Sequence, residues 1–288
     1  MDATTHIAVD ESSRHYEGWR IVAVCFLVAT FGWAFGFYGQ SIYLAELHRA
    51  YGWPASLVSG ATTFFYLFGA VVVVFVAEGV RKFGPRNCLI AGTCATALAA
   101  IGIGQVNAPW QLYLADAVLA CGWAGMSLGM INNTLGLWFD RKRGMAISLA
   151  LNGASFAGIA GVPLLVAAIG YFGFAKAMIV AACVMVALVV PVLFIFVGRP
   201  PLHLGGSATA ASDAPSGMQI RSLALRDISF LSVTTAFALV LFAQVGFIVH
   251  LISFLDPVIG RASADQEHVA LRIDHDQERQ CLTDKGQG

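Results

Sequence analysis

Residues 138–168, which read WFDRKRGMAISLALNGASFAGIAGVPLLVAA, decide the fold class of this chain. Three basic residues at 141–143 precede a run, 145–168, that contains no charged side chain. A bilayer core of about 30 Å needs about 20 apolar residues of helix, so this run is long enough to span a membrane. Because lipid cannot satisfy backbone polar groups, such a span must be helical.

The rest of the chain repeats this pattern of long apolar runs separated by short polar connectors. Of the 288 residues, 58% are hydrophobic and 12% are charged, whereas a typical soluble domain has about 25% charged residues. Most of the surface is therefore not expected to face water, and the pattern predicts an all-α membrane protein. Its seven predicted spans are 20–43, 55–77, 88–106, 111–131, 145–168, 174–197 and 228–253.

The polar stretch between the sixth and seventh spans divides the chain. Its centre, GGSATAASDAPSG (205–217), has the composition of a flexible linker. Residues 261–288 hold ten of the 34 charged residues, so the end of the chain is expected to be disordered. The abrupt change at Arg261 favours a truncated or frame-shifted coding sequence. The predicted parts are an N-terminal tail 1–19, a six-helix bundle 20–198, a linker 199–227, a seventh helix 228–253 and a polar tail 254–288.

Lysine and arginine residues collect in alternate connectors. Connectors rich in these residues stay in the cytoplasm, so the N-terminus and the linker are predicted to be cytoplasmic, in a multi-pass protein of the inner or plasma membrane. The opposite side has Arg49 and Lys176. The cytoplasmic side has eleven such residues: Arg14, Arg20, Arg81, Lys82, Arg86, Arg141, Lys142, Arg143, Arg199, Arg221 and Arg226.

Other classes of protein find little support in the sequence. The formal net charge is zero, so no nucleic-acid partner is predicted. The sequence has no P-loop, zinc-protease motif or dinucleotide fingerprint. A Gly-x-Ser-x-Gly match at 125–129 is expected inside an apolar helix, without the strand and turn that a nucleophile needs. No catalytic residue, metal or cofactor is therefore predicted, and the chain is not expected to be an enzyme.

Three stretches carry a resemblance to a known family. Residues 78–86, EGVRKFGPR, resemble a short cytoplasmic loop of the major facilitator superfamily that typically reads Gly-x-x-x-Asp-Arg-x-Gly-Pro-Arg. Phe83 to Arg86 match this pattern, and Arg81 occupies its acidic position. Residues 138–146, together with the glycine-rich run after them, resemble the branch of monocarboxylate transporters and oxalate–formate antiporters. Residues 17–20, EGWR, resemble the entry to that branch's first helix.

The resemblance covers residues 17–256 and implies a fold of twelve helices in two similar halves. This chain would then contain the six-helix N-terminal bundle, the central loop, one further transmembrane helix and a polar tail. The family implies secondary transport by alternating access, of a small solute such as a monocarboxylate. Span one has no interior Lys or Arg, and Tyr38 lies close to the position where monocarboxylate transporters usually carry a lysine.

Polar side chains at membrane depth are candidates for contact with a solute, because they are costly to place in lipid. For each of them a hydrogen bond between helices is the alternative interpretation. Asp116 is the only acid well inside an apolar run and is the candidate for ion coupling; an interfacial, solvated position is the alternative. The candidates along the solute pathway are Tyr38, Gln40, Tyr66, Asn132, Asn133 and Asn152.

The charged connectors and the small residues of span five each have two interpretations. The charges set topology, or they form ion pairs that close the cytoplasmic side in one state. The glycines and alanines around Gly153, Gly158 and Gly161 allow close helix packing, or they form a sliding seam. Pro163 is expected to kink this helix. The gating candidates are Glu78, Arg81, Lys82, Arg86, Asp140, Arg141 and Arg143.

Two functions remain open from the sequence. The first is a secondary active transporter, or the N-terminal part of one, with membrane lipid and a small solute as its partners. The second is a truncated membrane fragment that does not transport and that depends on association with another helical bundle. The missing second half distinguishes them, since the solute site of such transporters lies between two repeats.

Overall fold

The computed structural model describes residues 11, 13, 16–198 and 227–247. Within these residues the secondary structure is helical, with no strand, which confirms the predicted fold class. Six of the helices are long and apolar enough to cross a membrane. They are α1 (Gly18–Tyr51), a long helix Ala55–Ile103, α4 (Pro109–Gly136), α5 (Arg143–Phe172), α6 (Phe174–Phe196) and α7 (Ile228–Phe247).

The helix Ala55–Ile103 consists of two spans. Its 49 residues would extend about 70 Å if straight, more than twice the thickness of a bilayer core. Gly84 interrupts it with φ 80° and ψ 158°, a conformation that favours glycine. A Cβ on Gly60 would lie 2.9 Å from the Tyr113 hydroxyl, and one on Gly102 would lie 3.5 Å from the Ala115 Cβ. Both ends therefore approach the start of α4, so the chain reverses at Gly84 into α2 (55–83) and α3 (85–103).

The described residues thus contain seven apolar helices where seven spans are predicted, and several of these helices extend beyond the predicted bounds of the spans. Helix α1 continues eight residues beyond 43, and α4 continues five residues beyond 131. The extension of α1 ends at Gly52, whose positive φ of 63° and N–H bond to the His48 carbonyl close the helix. Helix α7 begins at Ile228, and the Asp227 side chain accepts the Ser229 N–H at 2.8 Å. The linker 199–226, residues 248–253 and the predicted tail lie outside the described residues.

Helices α1 and α5 each contain a π-helical segment, and the two segments pack against each other. They span Trp33–Tyr38 and Ala157–Gly161. Pro163 follows the second segment and has no N–H to continue the α-helical pattern. A Cβ on Gly158 would lie 3.1 Å from the Tyr38 ring, and one on Gly161 would lie 3.5 Å from the Ala34 Cβ. The small residues of α5 therefore serve close packing on α1 in this conformation.

Helices α3 and α4 approach each other closely at two glycines, Gly92 and Gly125. A Cβ on Gly92 would lie 2.9 Å from the Cα of Gly125, and the reverse distance is 2.8 Å. Just beyond this crossing α4 is interrupted at 126–127, and Ser127 restarts it by accepting the Met130 N–H at 3.4 Å. The Gly-x-Ser-x-Gly match therefore lies at a break between two helical segments. The expectation that it lies inside a continuous helix is wrong.

Candidate functional site

A buried polar cluster lies between α1, α2 and α4 and consists of Gln40, Thr62 and Asp116. Each lies on the buried face of its helix, at helical spacing from buried apolar residues. The Thr62 hydroxyl donates to Gln40 Oε1 at 3.0 Å. The Gln40 side chain in turn interacts with the Asp116 carboxyl. Gln40, predicted from the sequence to lie on the solute pathway, and Asp116, predicted to couple an ion, are therefore neighbours.

Asp116 is buried in the bundle. Only 2% of it is exposed, as for Gln40, and Thr62 is 6% exposed. The alternative of an interfacial, solvated Asp116 is therefore wrong for this conformation. The sequence position near the outer end of α4 suggested contact with solvent, but the side chain lies among buried residues of the bundle, with Gln40 of α1 beside it.

The cluster contains polar atoms without partners. Asp116 Oδ1 and Gln40 Nε2 are buried and have no hydrogen-bond partner among the described residues. Tyr43 interacts electrostatically with Asp116, but its hydroxyl donates to the Phe35 carbonyl at 3.0 Å. The salt bridges found within the described residues join Arg49 to Glu46 and Arg81 to Glu78, so neither neutralises Asp116. A buried carboxylate without a cation is strongly unfavourable, which makes this cluster the candidate site.

The other pathway candidates are not gathered around this cluster. Tyr38 packs against Gly158 of α5, and the Tyr66 hydroxyl is buried without a described partner. Asn132 Oδ1 also lacks a partner, while its backbone carbonyl accepts Arg143 at 3.4 Å. Two further candidates, Asn133 and Asn152, are exposed on the bundle. Asn133 and Asn152 therefore stay candidates for contact with a solute on the outer surface of the bundle.

Several gating candidates meet at the end of the bundle where α1 begins and α6 ends. The predicted ion pair between Glu78 and Arg81 is present at 3.0 Å, although both side chains are mostly exposed. Lys82 lies over the Phe83 ring, 5.4 Å from its centroid. The Arg86 guanidinium lies 4.4 Å from the ring centroid of Phe194 in α6. Arg86 thereby joins α3 to α6 through an aromatic ring rather than through a carboxylate.

A double-mutant cycle should detect the contact between Arg86 and Phe194. Alanine substitutions at both positions are expected to show a coupling free energy of about 1 kcal/mol, because a guanidinium over a partly buried ring is attracted by the ring's electrons. Thermal unfolding of the two single variants and the double variant in detergent measures it. The Lys82–Phe83 pair, which lies farther apart within one helix, is the matched control and should couple less. Strictly additive effects at Arg86 and Phe194 would contradict the contact.

The connector between α4 and α5 is held by the N-terminal segment, which sequence reasoning missed. Glu11 is 7% exposed, and its carboxylate accepts the backbone N–H groups of Asp140 at 2.9 Å, Arg141 at 3.3 Å and Lys142 at 2.7 Å. The predicted pairing of Asp140 with an arginine is not found among the described residues. Asp140 instead uses its backbone N–H, and its side chain is exposed.

Aromatic rings complete this N-terminal contact, which consists of residues 11, 16, 19 and 138–142. The Tyr16 hydroxyl donates to the Trp138 carbonyl. The Phe139 ring packs edge-on against Tyr16 at 5.4 Å and against Trp19 at 5.1 Å. The stretches 17–20 and 138–146, which carried the resemblance, thus touch each other, and that shared motif was the signal that could have revealed the contact.

The electrostatics of Glu11 favour its ionised form. Burial by itself raises the pKa of this carboxyl. The backbone hydrogen bonds from Asp140, Lys142 and Arg141, and the charge of Arg141, outweigh burial and hold the pKa below its ordinary value of 4.5. The three N–H groups precede the first turn of α5, where the helix dipole also favours a negative charge. Glu11, which is distant in sequence, therefore accepts the free backbone N–H groups that precede α5.

Comparison with known proteins agrees with this architecture. A sequence model of the Major Facilitator Superfamily matches residues 23–264. The chain is 29% identical over 205 residues to the MFS-type transporter pynF of Aspergillus niger, a match that covers 67% of this chain and 44% of that protein. It is 26% identical over 227 residues to the MFS-type transporter pytF of Aspergillus terreus, covering 76% and 74%.

A further relative has a name that matches the predicted branch. Monocarboxylate transporter 13 of Bos taurus is 27% identical over 229 residues, a match that covers 77% of this chain and 50% of that protein. The chain thus spans about half the length of this relative and of pynF. The names indicate a transporter rather than an enzyme. Because the family model matches well over half of the chain, this protein belongs to the Major Facilitator Superfamily and resembles its monocarboxylate transporter branch.

Proposed function

We propose that this chain is a secondary active transporter, or the N-terminal half of one, that moves a small solute by alternating access. The observation that carries the proposal is the buried cluster of Gln40, Thr62 and Asp116 at membrane depth. Polar and ionisable groups in this position are costly and mark solute or ion pathways. The three residues come from three different helices, so a change in helix packing would alter their surroundings.

A small organic anion such as a monocarboxylate is the proposed solute. The names of several relatives support this class. In transporters built from two repeats the solute site lies at the interface of the halves. The exposed Asn133 and Asn152 are suited to such an interface, because their amides can donate to a carboxylate. A second helical bundle is therefore the proposed partner of the bundle α1–α6.

The proposed location is the cell membrane, with the N-terminus in the cytoplasm. The excess of Lys and Arg in alternate connectors supports this orientation. The end of the bundle that carries Arg81, Arg86 and the connector 137–142 would then face the cytoplasm. In that position the pair Glu78–Arg81 and the basic residues Lys82, Arg141 and Arg143 are suited to gating.

A second candidate function is a membrane fragment that does not transport by itself. Its support is that the chain spans about half of the length of two relatives. A single six-helix bundle provides only one wall of a site that lies between two halves. Such a fragment would act only after association with another helical bundle.

Uptake by the purified full chain in proteoliposomes tests the proposal. A labelled monocarboxylate such as lactate is offered with and without an inward proton gradient. Uptake above that of empty liposomes is expected, and Asp116→Asn should reduce it by tenfold or more. Glu46→Gln is the matched control, since it alters a largely covered acid of α1 that, unlike Asp116, has a cation partner, Arg49. Uptake equal to that of empty liposomes for all small organic anions tested would favour the fragment.

A further inference from the structure

We propose that Asp116 is a proton-binding site and that its carboxyl group carries a proton at neutral pH in this conformation, within a pocket formed by Gln40 and Thr62. The role of this proton in coupling rests on the proposed transport function. The presence of the proton does not, because it follows from the geometry of the cluster alone.

The surroundings of Asp116 favour its neutral form. The carboxyl lies in a part of α4 whose neighbours on the buried face are Leu112, Ala115 and Leu119, all apolar. Helix α2 contributes the uncharged Thr62. An ionised carboxylate would have to exchange water for this environment without a counter-ion, which is the most costly arrangement that a side chain can adopt.

The charged and titratable side chains around the site contact partners other than Asp116. From α1, the titratable neighbour is Tyr43, whose hydroxyl is committed to the Phe35 carbonyl. Of the described basic residues of α1, Arg20 lies over the Phe196 ring, Arg49 pairs with Glu46, and His48 Nδ1 lies 2.7 Å from the Trp53 carbonyl oxygen. No cation from α1, α2 or α4 is found in an ion pair with Asp116 within the described residues.

The orientation of Gln40 argues against a metal ion at this site. Its Oε1 accepts the Thr62 hydroxyl, so the amide nitrogen is the atom left over, and this nitrogen has no described partner. An amide nitrogen donates hydrogen bonds and does not bind a hard cation, which requires six or more oxygen ligands for calcium and a near-octahedral set for magnesium. A protonated carboxyl remains compatible with this nitrogen, because its carbonyl oxygen is a hydrogen-bond acceptor.

A π-helical segment of α1 lies close in sequence to Gln40 and offers a means of exchanging the proton. The π-helical segment Trp33–Tyr38 ends two residues before Gln40. Such segments often mark functional positions, because one extra residue in the turn can be gained or lost. A change of register in α1 would move Gln40 relative to Asp116 and admit water. The carboxyl would then release its proton to water on one side and regain one from the other side, with no change in any other covalent bond.

Infrared spectroscopy of the purified full chain in lipid nanodiscs tests the site. At neutral pH we expect a carbonyl stretch of a protonated carboxylic acid that disappears in Asp116→Asn and persists in Glu46→Gln. In Gln40→Leu the same band should shift in frequency, because the polar amide beside the carboxyl is replaced by an apolar side chain. The shift keeps the test decisive even where Asp116→Asn does not fold. A spectrum of the folded protein without an acid band, or with a band insensitive to both substitutions, would overturn the proposal.

The spectroscopic and transport results separate the two proposals. A band assigned to Asp116 without uptake of any solute would support the proton site and contradict the transporter. Uptake that depends on a proton gradient, without an Asp116 band, would support the transporter and contradict this site. In that case the coupling proton is carried elsewhere.

Discussion

Replacing Gly92 by alanine is expected to destabilise the bundle by about 1–3 kcal/mol, the usual range for overpacking a close contact. The new methyl group would lie 2.9 Å from both the Cα and the carbonyl carbon of Gly125. These are backbone atoms, which cannot rotate away as a flexible side chain can, so α3 and α4 must separate. The loss is expected even though alanine is the better helix former by about 1 kcal/mol. Thermal unfolding in detergent measures the change.

Gly69→Ala is the matched control for this substitution. Gly69 lies on α2 and also faces α4, but a Cβ there would meet only the Ala120 Cβ, at an ordinary contact distance of 3.7 Å. The control is therefore expected to leave stability unchanged or to raise it through helix propensity. Equal melting temperatures for Gly92→Ala and Gly69→Ala would show that the two helices do not approach as closely as 2.9 Å at Gly92.

The spans could be predicted from sequence because lipid imposes a single requirement, a long apolar helix. That requirement fixes the existence of each helix but not its ends. Helix α1 continues through Glu46 and Arg49, which are too polar for a bilayer core but fully compatible with a helix in water. The predicted end at residue 43 is therefore the point beyond which the residues become too polar for a bilayer core. The helix itself ends at Gly52.

The candidate site was only partly predictable, because the sequence shows which polar residues lie at membrane depth but not which of them meet. Gln40 and Asp116 are 76 positions apart, and their contact depends on how α1 packs on α4. Thr62 gave no signal, since a threonine in a helix usually bonds to its own backbone, and the Val58 carbonyl lies within reach of the Thr62 hydroxyl as an alternative acceptor, at 3.2 Å. The π-helical segments also escaped prediction, although Pro163 and the glycines near both segments were visible in the sequence.

Replacing Glu11 by alanine is expected to release the connector between α4 and α5. The substitution leaves the N–H groups of Asp140, Arg141 and Lys142 without their acceptor. A hydrogen bond to a charged group contributes about 1.5–3 kcal/mol to stability. Removal of the side chain lets water bond to the freed N–H groups, so we expect a total loss of about 1–3 kcal/mol. Amide hydrogen exchange should accelerate at residues 140–142 and remain unchanged in the middle of α3.

Glu17→Ala is the control, because Glu17 is an exposed acid of the same segment whose side chain does not cap α1. It should leave exchange at residues 140–142 unchanged. Equal exchange in the wild type and in Glu11→Ala would show that another acceptor holds the connector.

The same contact should depend on pH in a defined direction. The pKa of Glu11 is lower in the folded protein than its ordinary value of 4.5. A depressed carboxyl pKa stabilises the fold above the ordinary value, and this stabilisation disappears as the pH falls through the folded-state pKa. Protection of residues 140–142 is therefore expected to be complete at neutral pH and to fall only below about pH 4.5 in the wild type, while Glu11→Ala shows no such step. A wild-type step above that pH would assign the contact to a group other than Glu11, because a carboxylate that accepts three backbone hydrogen bonds resists protonation rather than inviting it.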